Sequence, residues 1–207
     1  MAFSLLLKEY LVHDQTVALF EPDKNVILDS YRNGLIAFPF WSQVWPAAIA
    51  LSRFIINHPH YTQDKHVLEL AAGLGLPSVV AAQNAASVVA SDYVEEALLA
   101  IQKSADYNHL QNLQVQLLNW HTLPANIYAD LLLLSDVSYD TTLFAVQEKA
   151  IYHFLEQGTI VILSTPQRLV AKEAIMPLTS FCNHQEEIVI ANNHAAVVIT
   201  VMVLQNR

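Results

Sequence analysis

A loop near residue 73 combines glycines and acidic residues in an order that suits a nucleoside-bearing ligand. The 207 residues include only four glycines, and two of them, Gly73 and Gly75, lie between an apolar run and a helix-like run. A glycine-rich turn between a strand and a helix lets a ligand approach the backbone N–H groups at the helix N-terminus. Asp92 ends the next predicted strand, where a carboxylate can accept both hydroxyl groups of a ribose.

Three neighbouring residues distinguish between the two ligand classes that use such a loop, dinucleotides and S-adenosylmethionine. Pro77 lacks an N–H at the helix start, and Ser78 occupies the place of the third glycine in the dinucleotide pattern. A pyrophosphate needs those donors, whereas an amino-acid moiety needs fewer. Glu69 lies inside the first strand, where a buried acid is costly unless it is paired or faces a ligand. These residues favour S-adenosylmethionine, and a tight turn without a ligand is the alternative.

The elements that would position these residues form an alternating series. From residue 66 onward, short apolar runs alternate with segments of helical period, which predicts a doubly wound α/β fold with a mostly parallel, Rossmann-like sheet of seven strands. Residues 186–203 predict two strands around an Asn-Asn-His turn, so the sheet should end in an antiparallel hairpin. The first five strands are predicted at 66–72, 87–92, 115–119, 129–136 and 159–165, and the helices at 76–86, 93–110, 139–157 and 167–182.

The first 65 residues lack this alternation. Residues 17–31 resemble a small hairpin around Glu21-Pro22-Asp23, and residues 45–59 a helix that begins at a proline and ends before Pro59. We therefore expect a single domain over 1–207, with an N-terminal β-hairpin and helix cap at 1–65 and the α/β core at 66–207.

Composition excludes several classes of protein. The chain is 54% hydrophobic and 14% charged, which is too apolar for a disordered protein, and no apolar run reaches the ~20 residues of a membrane span. A net charge of −9 disfavours binding to nucleic-acid phosphates. Cys182 is the one cysteine, so no disulfide framework is expected, and the start of the chain does not resemble a signal peptide. We expect a cytoplasmic monomer.

The loop also resembles a known motif. Residues 69–75, ELAAGLG, look like the E/D-x-G-x-G-x-G motif of class I, seven-β-strand S-adenosylmethionine-dependent methyltransferases, with Ala71 in place of the first glycine. Further segments are similar, in order and spacing, to methyltransferase family 16, which holds protein lysine methyltransferases. These segments are PFWSQVWPAAIAL (39–51), ASDYVEEAL (90–98), NWHTLP (119–124), ADLLLLSDVSYD (129–140) and STPQR (164–168).

The resemblance implies a role for each matched residue. Asp136 and Tyr139 match a D-x-x-Y motif at the mouth of the substrate channel, where they would orient the nucleophile as the catalytic pair. Trp45 would cover the methionine end of the cofactor. The implied cofactor-binding residues are Trp45, Glu69, Ala71 and Gly73 at the amino-acid part, Asp92 at the ribose, Tyr93 and Trp120 at the adenine, and Gly75 and Ser135 beside them.

Several of these residues also have a purely structural explanation. Trp41 and Trp45 could form a lid packed on the sheet, and Tyr93 could simply begin a helix. Trp120 could be an aromatic residue at the edge of the core, and Asp136 could be an early helix cap, although Asp140 suits that role better.

Other chemistry finds less support in the sequence. His58-Pro59-His60 has no third ligand at a suitable spacing, so no metal site is expected. A G-x-S-x-G elbow is missing, which leaves serine hydrolysis unsupported.

Together, the residues and the resemblance predict an S-adenosylmethionine-dependent N-methyltransferase that acts on a lysine side chain of a protein. A methyltransferase for a small molecule is one alternative. A non-catalytic nucleotide-binding module or dehydrogenase is the other.

Overall fold

The computed structural model describes residues 3–167, 169–192 and 195–206, and the elements below refer to these ranges. The strands are β1 Leu5–Val12, β2 Gln15–Pro22, β3 His66–Leu70, β4 Ser87–Asp92, β5 Leu113–Leu117, β6 Leu131–Ser135, β7 Ile160–Pro166, β8 Cys182–Asn192 and β9 Ala195–Leu204. The helices are α1 Lys24–Arg32, α2 Pro46–Asn57, α3 Leu76–Ala81, α4 Glu95–Tyr107, α5 Phe144–Glu156 and α6 Leu169–Ile175.

Seven strands form one sheet in the order β5-β4-β3-β6-β7-β9-β8. The first five of these run parallel, while β9 is antiparallel to β7 and β8 is antiparallel to β9. Four consecutive leucines in β6, at positions 131–134, are fully buried, as expected for a central strand covered on both faces. The predicted doubly wound sheet with an antiparallel C-terminal hairpin is confirmed. The predicted Asn-Asn-His turn includes residues 193 and 194, which lie outside the described residues.

The strand order reverses next to β3. The chain runs outward from β3 through β4 to β5, and then returns to place β6 on the other side of β3. The helices that follow β3 and β6 therefore leave the sheet in opposite directions, which opens a crevice at the carboxyl ends of these two strands.

Helices cover both faces of the sheet. One hydrophobic cluster includes residues of α2, α3, α4 and the β1–β2 hairpin, with Leu51, Phe54 and Ile101 among its fully buried side chains. The opposite cluster includes α5 and Leu178, with Phe154 fully buried. Helix α2 thus packs directly on the sheet in the same core as the later elements. No helix in the described part of the chain is long and apolar enough to cross a membrane.

The predicted position of the N-terminal hairpin was wrong. The hairpin is formed by β1 and β2, and the turn between them includes His13, whose φ of 58° is left-handed. Residues 24–32 form α1 instead of a second strand, because Pro22 ends β2 and the Asp23 carboxylate accepts the N–H groups of Asn25 and Val26. The backbone N–H of Phe20 donates to Ser104 Oγ at 2.8 Å, which joins the hairpin to α4.

Several boundaries also differ from the prediction. The helix expected at 76–86 ends at Ala81, and the helix expected at 139–157 begins at Phe144. The third core strand, expected at 115–119, is shifted toward the N-terminus and covers Leu113–Leu117. The helix expected at 167–182 ends as α6 at Ile175, and a 3-10 turn with Pro177 near its start continues to Phe181. Proline lacks an N–H and crowds the preceding turn, which explains the break.

Candidate active site

A cleft lies at the carboxyl ends of β3, β4 and β6, beneath the segment that precedes α2. Its empty volume is about 830 Å³, including space open to solvent. The described residues that line it include the following predicted site residues: Trp45, Ala71, Gly73, Gly75, Asp92, Tyr93, Ser135, Asp136 and Tyr139. The strand-order reversal therefore brings together residues that lie far apart in the sequence.

The two glycines of the loop suit its left-handed backbone, and Gly75 also suits its tight packing. Gly73 and Gly75 have φ angles of 57° and 69°, a region that L side chains rarely adopt. A Cβ on Gly73 would lie 3.4 Å from the backbone oxygen of Trp41, and one on Gly75 would lie 3.0 Å from Cγ1 of Ile101. The loop is consequently pressed between the N-terminal segment and α4, with its backbone exposed to the cleft.

Ala71 adopts the same left-handed conformation, with a φ of 55°. Alanine pays a steric penalty in this region because its Cβ approaches the following carbonyl oxygen. The position that the motif gives to glycine is therefore strained here, and Ala71 both lines the cleft and packs against the core.

Asp92 joins the loop to the end of β4. Its Oδ2 accepts the Gly73 N–H at 2.9 Å and its Oδ1 accepts the Val94 N–H at 3.1 Å. Burial raises the pKa of this carboxyl group, and the backbone hydrogen bonds oppose that effect. Each carboxylate oxygen has a second lone pair, so Asp92 can still accept hydroxyl groups from a ligand in the cleft.

Glu69 is fully buried and is not among the described residues that line the cleft. Its Oε2 accepts both the backbone N–H and the hydroxyl group of Ser78, so Glu69 caps the N-terminus of α3 from the adjacent strand. Its Oε1 has no hydrogen-bond partner among the described residues. Burial raises the pKa of Glu69 to about 8, although the hydrogen bonds from Ser78 lower it. The resemblance places Glu69 beside the amino-acid part of the cofactor, whereas the structure places it behind the loop.

The mouth of the cleft has aromatic walls. The ring of Phe40 stacks on Tyr139 with 4.5 Å between centroids, and the indole N–H of Trp45 donates to the Phe40 carbonyl oxygen at 2.7 Å. Sequence reasoning gave Phe40 no role, although the segment at 39–51 that it identified contains this residue. Trp41 both lines the cleft and packs on the core. The lid offered as a structural explanation for Trp41 and Trp45 is therefore itself part of the cleft.

Asp136 and Tyr139 follow β6 and face the same cleft. Asp136 is buried and left-handed, with a φ of 50°, and its backbone N–H donates to the Ser164 carbonyl oxygen at 2.9 Å. Strained residues of this kind are concentrated at functional sites. Burial, together with the nearby acidic groups, raises the pKa of Tyr139 to about 12, so its hydroxyl group stays protonated at neutral pH.

Two further predictions can be compared with the structure. Trp120 begins a 3-10 turn and packs against the core cluster that contains α5, and it is not among the described residues that line the cleft. This position matches the alternative of an aromatic residue at the edge of the core.

Asp140 caps the next 3-10 turn, since its Oδ1 accepts the Thr142 N–H at 2.9 Å. Asp136 is therefore not needed as the cap.

Comparison with known proteins adds an independent line of evidence. A family model described as "Lysine methyltransferase" matches residues 37–180, which is more than half of the chain. The human histone-arginine methyltransferase METTL23 is 32% identical over 58% of this chain and 66% of its own length. The human electron transfer flavoprotein beta subunit lysine methyltransferase is 32% identical over 51% of this chain and 40% of its own length. The matched part thus spans less than two thirds of either relative.

Solved structures share the fold at low sequence identity. The Thermus thermophilus 16S rRNA N2 G1207 methyltransferase RsmC superimposes with a TM-score of 0.63 and 14% identity, covering 100% of this chain and 52% of its own. TrmN, also from Thermus thermophilus, has a TM-score of 0.60 and 19% identity over 77% of this chain and 49% of its own.

Proposed function

Because this chain belongs to the lysine methyltransferase family, we propose that it transfers a methyl group from S-adenosylmethionine to a lysine side chain of a protein. The observation that carries the proposal is the cleft at the strand-order reversal, which joins a nucleoside-binding loop to an aromatic mouth containing Asp136 and Tyr139.

The cleft fits the cofactor of this family. Asp92 has lone pairs available for the ribose hydroxyl groups, and the exposed Tyr93 ring at the cleft suits a flat base. Ala71 and Gly73, both with left-handed backbone, line the part of the cleft assigned to the amino-acid part. When bound, S-adenosylmethionine supplies an electrophilic methyl group on a sulfonium sulfur.

The residues at the mouth prepare the amine. A lysine ammonium has an unperturbed pKa of about 10.4, so it must lose a proton before its nitrogen can act as a nucleophile. The Phe40 and Tyr139 rings desolvate the ammonium group, which lowers its pKa. The Asp136 carboxylate accepts a hydrogen bond from the amine and assists removal of the proton. Tyr139 keeps its own proton and orients the nitrogen through its hydroxyl oxygen.

The charge of the chain supports a protein as the methyl acceptor. Asp and Glu number 19, whereas Lys and Arg number 10, which favours a basic polypeptide over a nucleic acid. We propose that the enzyme works as a monomer. The cytoplasmic location inferred from composition stays a prediction.

Binding of the cofactor is tested by thermal unfolding with S-adenosylmethionine, its demethylated product, and NAD. A ligand present at 100 times its dissociation constant should raise the free energy of unfolding by ~2.7 kcal/mol. We expect stabilisation by the first two and none by NAD. Stabilisation by NAD alone would overturn the proposal.

The acceptor is tested by incubating the enzyme and a cell extract with methyl-labelled S-adenosylmethionine. We expect label in a protein band, and methyl-lysine after acid hydrolysis of that band. Methyl-arginine would instead indicate arginine methylation, the activity for which the METTL23 relative is named. Label confined to small molecules would indicate that the acceptor is a metabolite. The extract incubated without the enzyme is the control for endogenous activity.

A further inference from the structure

Two histidines and one glutamate meet far from the cleft, at the other end of α2. His58 follows the last residue of α2, while His184 and Glu186 lie on β8, the edge strand of the sheet. Glu186 Oε1 lies 2.7 Å from His58 Nε2 and 2.9 Å from His184 Nε2. The three potential ligand atoms all lie within 4.8 Å of one another. The sequence offers no third ligand near His58-Pro59-His60, but the fold brings two potential ligands of β8 to His58.

A β-bulge creates this arrangement. Cys182 pairs with Leu204, but His184 pairs with the adjacent Val203, so one extra residue is inserted into β8. His184 and Glu186 share one face of the strand because they are two residues apart, and the insertion places that face opposite to Cys182, which packs in the other cluster. These two ligands could not be found from the sequence because they follow His58 by 126 and 128 residues, and the bulge decides which face they occupy.

We propose that His58, His184 and Glu186 form a site for a divalent transition metal, with Zn²⁺ as the best match. Two imidazole nitrogens and one carboxylate oxygen are a known zinc ligand set that leaves a fourth position for water. Two nitrogen ligands favour Zn²⁺ over the hard ions Mg²⁺ and Ca²⁺, which prefer oxygen.

Coordination requires the three ligand atoms to adjust. Tetrahedral bonds of about 2.0–2.1 Å separate the ligand atoms by roughly 3.3 Å, so the glutamate oxygen must retreat by about half an ångström from each nitrogen. The two nitrogens, which lie within 4.8 Å of each other, must take the same separation. The ion would replace the two hydrogen bonds that now hold the cluster, and each Nε2 would give up its proton or pass it to Nδ1.

Aromatic packing holds both imidazoles in place. The fully buried ring of Phe54 lies 4.4 Å from the ring of His58 and 5.9 Å from the ring of His184, measured between centroids. His184 is partly exposed, so solvent can reach the cluster and supply the fourth ligand. A bound ion would fasten the edge strand β8 to the C-terminal end of α2, whose N-terminal end lines the cleft.

The test is a zinc titration of the untagged, metal-stripped protein, followed with a competing chromophoric chelator. We expect one equivalent of Zn²⁺ to bind, and a Zn²⁺ concentration 100 times its dissociation constant to raise the midpoint of thermal unfolding by about 5–10 °C. Co²⁺ should give the visible absorption bands of a four-coordinate site.

Variants assign the ligands. His184→Gln and Glu186→Gln should each weaken zinc binding at least ~100-fold, since the loss of a second-shell group alone costs 10–100-fold. His121→Gln, at an exposed histidine outside the cluster, and Glu187→Gln, at the neighbouring residue on β8, are the matched controls and should bind as the parent does. Circular dichroism establishes that every variant is folded. Failure of the folded parent to bind zinc, or equal binding by parent and both ligand variants, would overturn the proposal.

Discussion

The two walls of the cleft are built in different ways. The loop wall, at the ends of β3 and β4, contains the buried carboxyl group of Asp92, which accepts hydrogen bonds from Gly73 and Val94. It is supported from behind by the buried carboxyl group of Glu69, which accepts hydrogen bonds from Ser78. The mouth wall, after β6, contains Asp136 together with the partly exposed rings of Phe40 and Tyr139.

This difference indicates that the two walls have separate functions. Acidic groups on and behind the loop wall hold the protein's own backbone in the shape that the cofactor requires, so substitutions there should alter stability and cofactor affinity together. Substitutions at the mouth should alter turnover while cofactor affinity is retained. The predictions below test this separation.

The largest effect is expected at the mouth. Asp136→Asn and Tyr139→Phe should lower turnover by about 10²–10⁴-fold, because each removes a group that positions the amine or its proton. Asparagine also tolerates the left-handed backbone at position 136, so the local fold should be preserved. Cofactor affinity, measured by calorimetry, should stay within about threefold of the parent.

Asp140→Asn is the matched control, since it makes the same change of charge near the mouth. Asp140 itself caps a 3-10 turn, where its Oδ1 accepts the Thr142 N–H. It should retain near-parental turnover. If Asp136→Asn lost cofactor affinity in proportion to turnover, Asp136 would belong to the cofactor pocket and the two walls would not differ.

On the loop wall, Asp92→Ala should weaken binding of S-adenosylmethionine by up to a few kcal/mol, because charge-assisted hydrogen bonds to the ribose are lost. It should also lower the free energy of unfolding by about 1–3 kcal/mol without cofactor, because the Gly73 N–H loses its acceptor. Calorimetry and denaturant titration measure the two effects. Glu95→Gln, at an exposed acidic residue of α4, is the control. If folded Asp92→Ala bound S-adenosylmethionine as tightly as the parent, Asp92 would have only a structural role.

Much of the loop wall could be predicted from sequence. The family resemblance on which its residue roles rested is confirmed by the match over residues 37–180. Local signals sufficed there, because the glycine pair, the strand pattern and Asp92 lie within one β-α-β unit. The resemblance assigns Glu69 to the amino-acid part of the cofactor, whereas its carboxylate accepts a hydrogen bond from Ser78. The motif identifies the residue but does not show which way its buried side chain turns.

The mouth and the N-terminal segment depended on contacts that no local pattern encodes. Phe40 contacts Tyr139 across a long sequence separation, so neither residue indicates the other. The hairpin was misplaced because apolar positions in residues 17–31 fit both a strand and an amphipathic helix, and the capping bonds of Asp23 favour the helix.

A pH dependence should identify the buried acid behind the loop wall. The pKa of Glu69 is raised to about 8 in the folded protein, above its unfolded value near 4.5, so the folded state binds more protons between these values. Stability should therefore decrease as pH rises from about 5 to 8, by up to ~1.4 kcal/mol per pH unit from this group. Denaturant unfolding across that range measures the slope, and Glu69→Gln should flatten it. An unchanged slope in the variant would show that Glu69 ionises normally.

The smallest effect is expected at Ala71, where the loop wall departs from the family motif. Ala71→Gly should raise the free energy of unfolding by about 0.5–1 kcal/mol, because relief of ~1–2 kcal/mol of left-handed strain exceeds the greater entropy of glycine in the unfolded chain. It should also tighten cofactor binding, since Ala71 lines the cleft and glycine lets a ligand approach the backbone more closely.

Ala72 provides the matched control, because it lines the same cleft but is not among the residues with positive φ. Ala72→Gly should lower stability by at least about 0.4–1 kcal/mol, since the parent alanine is unstrained and the substitution adds entropy to the unfolded chain. It also removes a methyl group that packs against the core. Thermal unfolding of the two variants side by side resolves the opposite signs. If both were destabilised equally, the left-handed conformation of Ala71 would carry no strain, and alanine would suit this loop as well as the glycine of the motif.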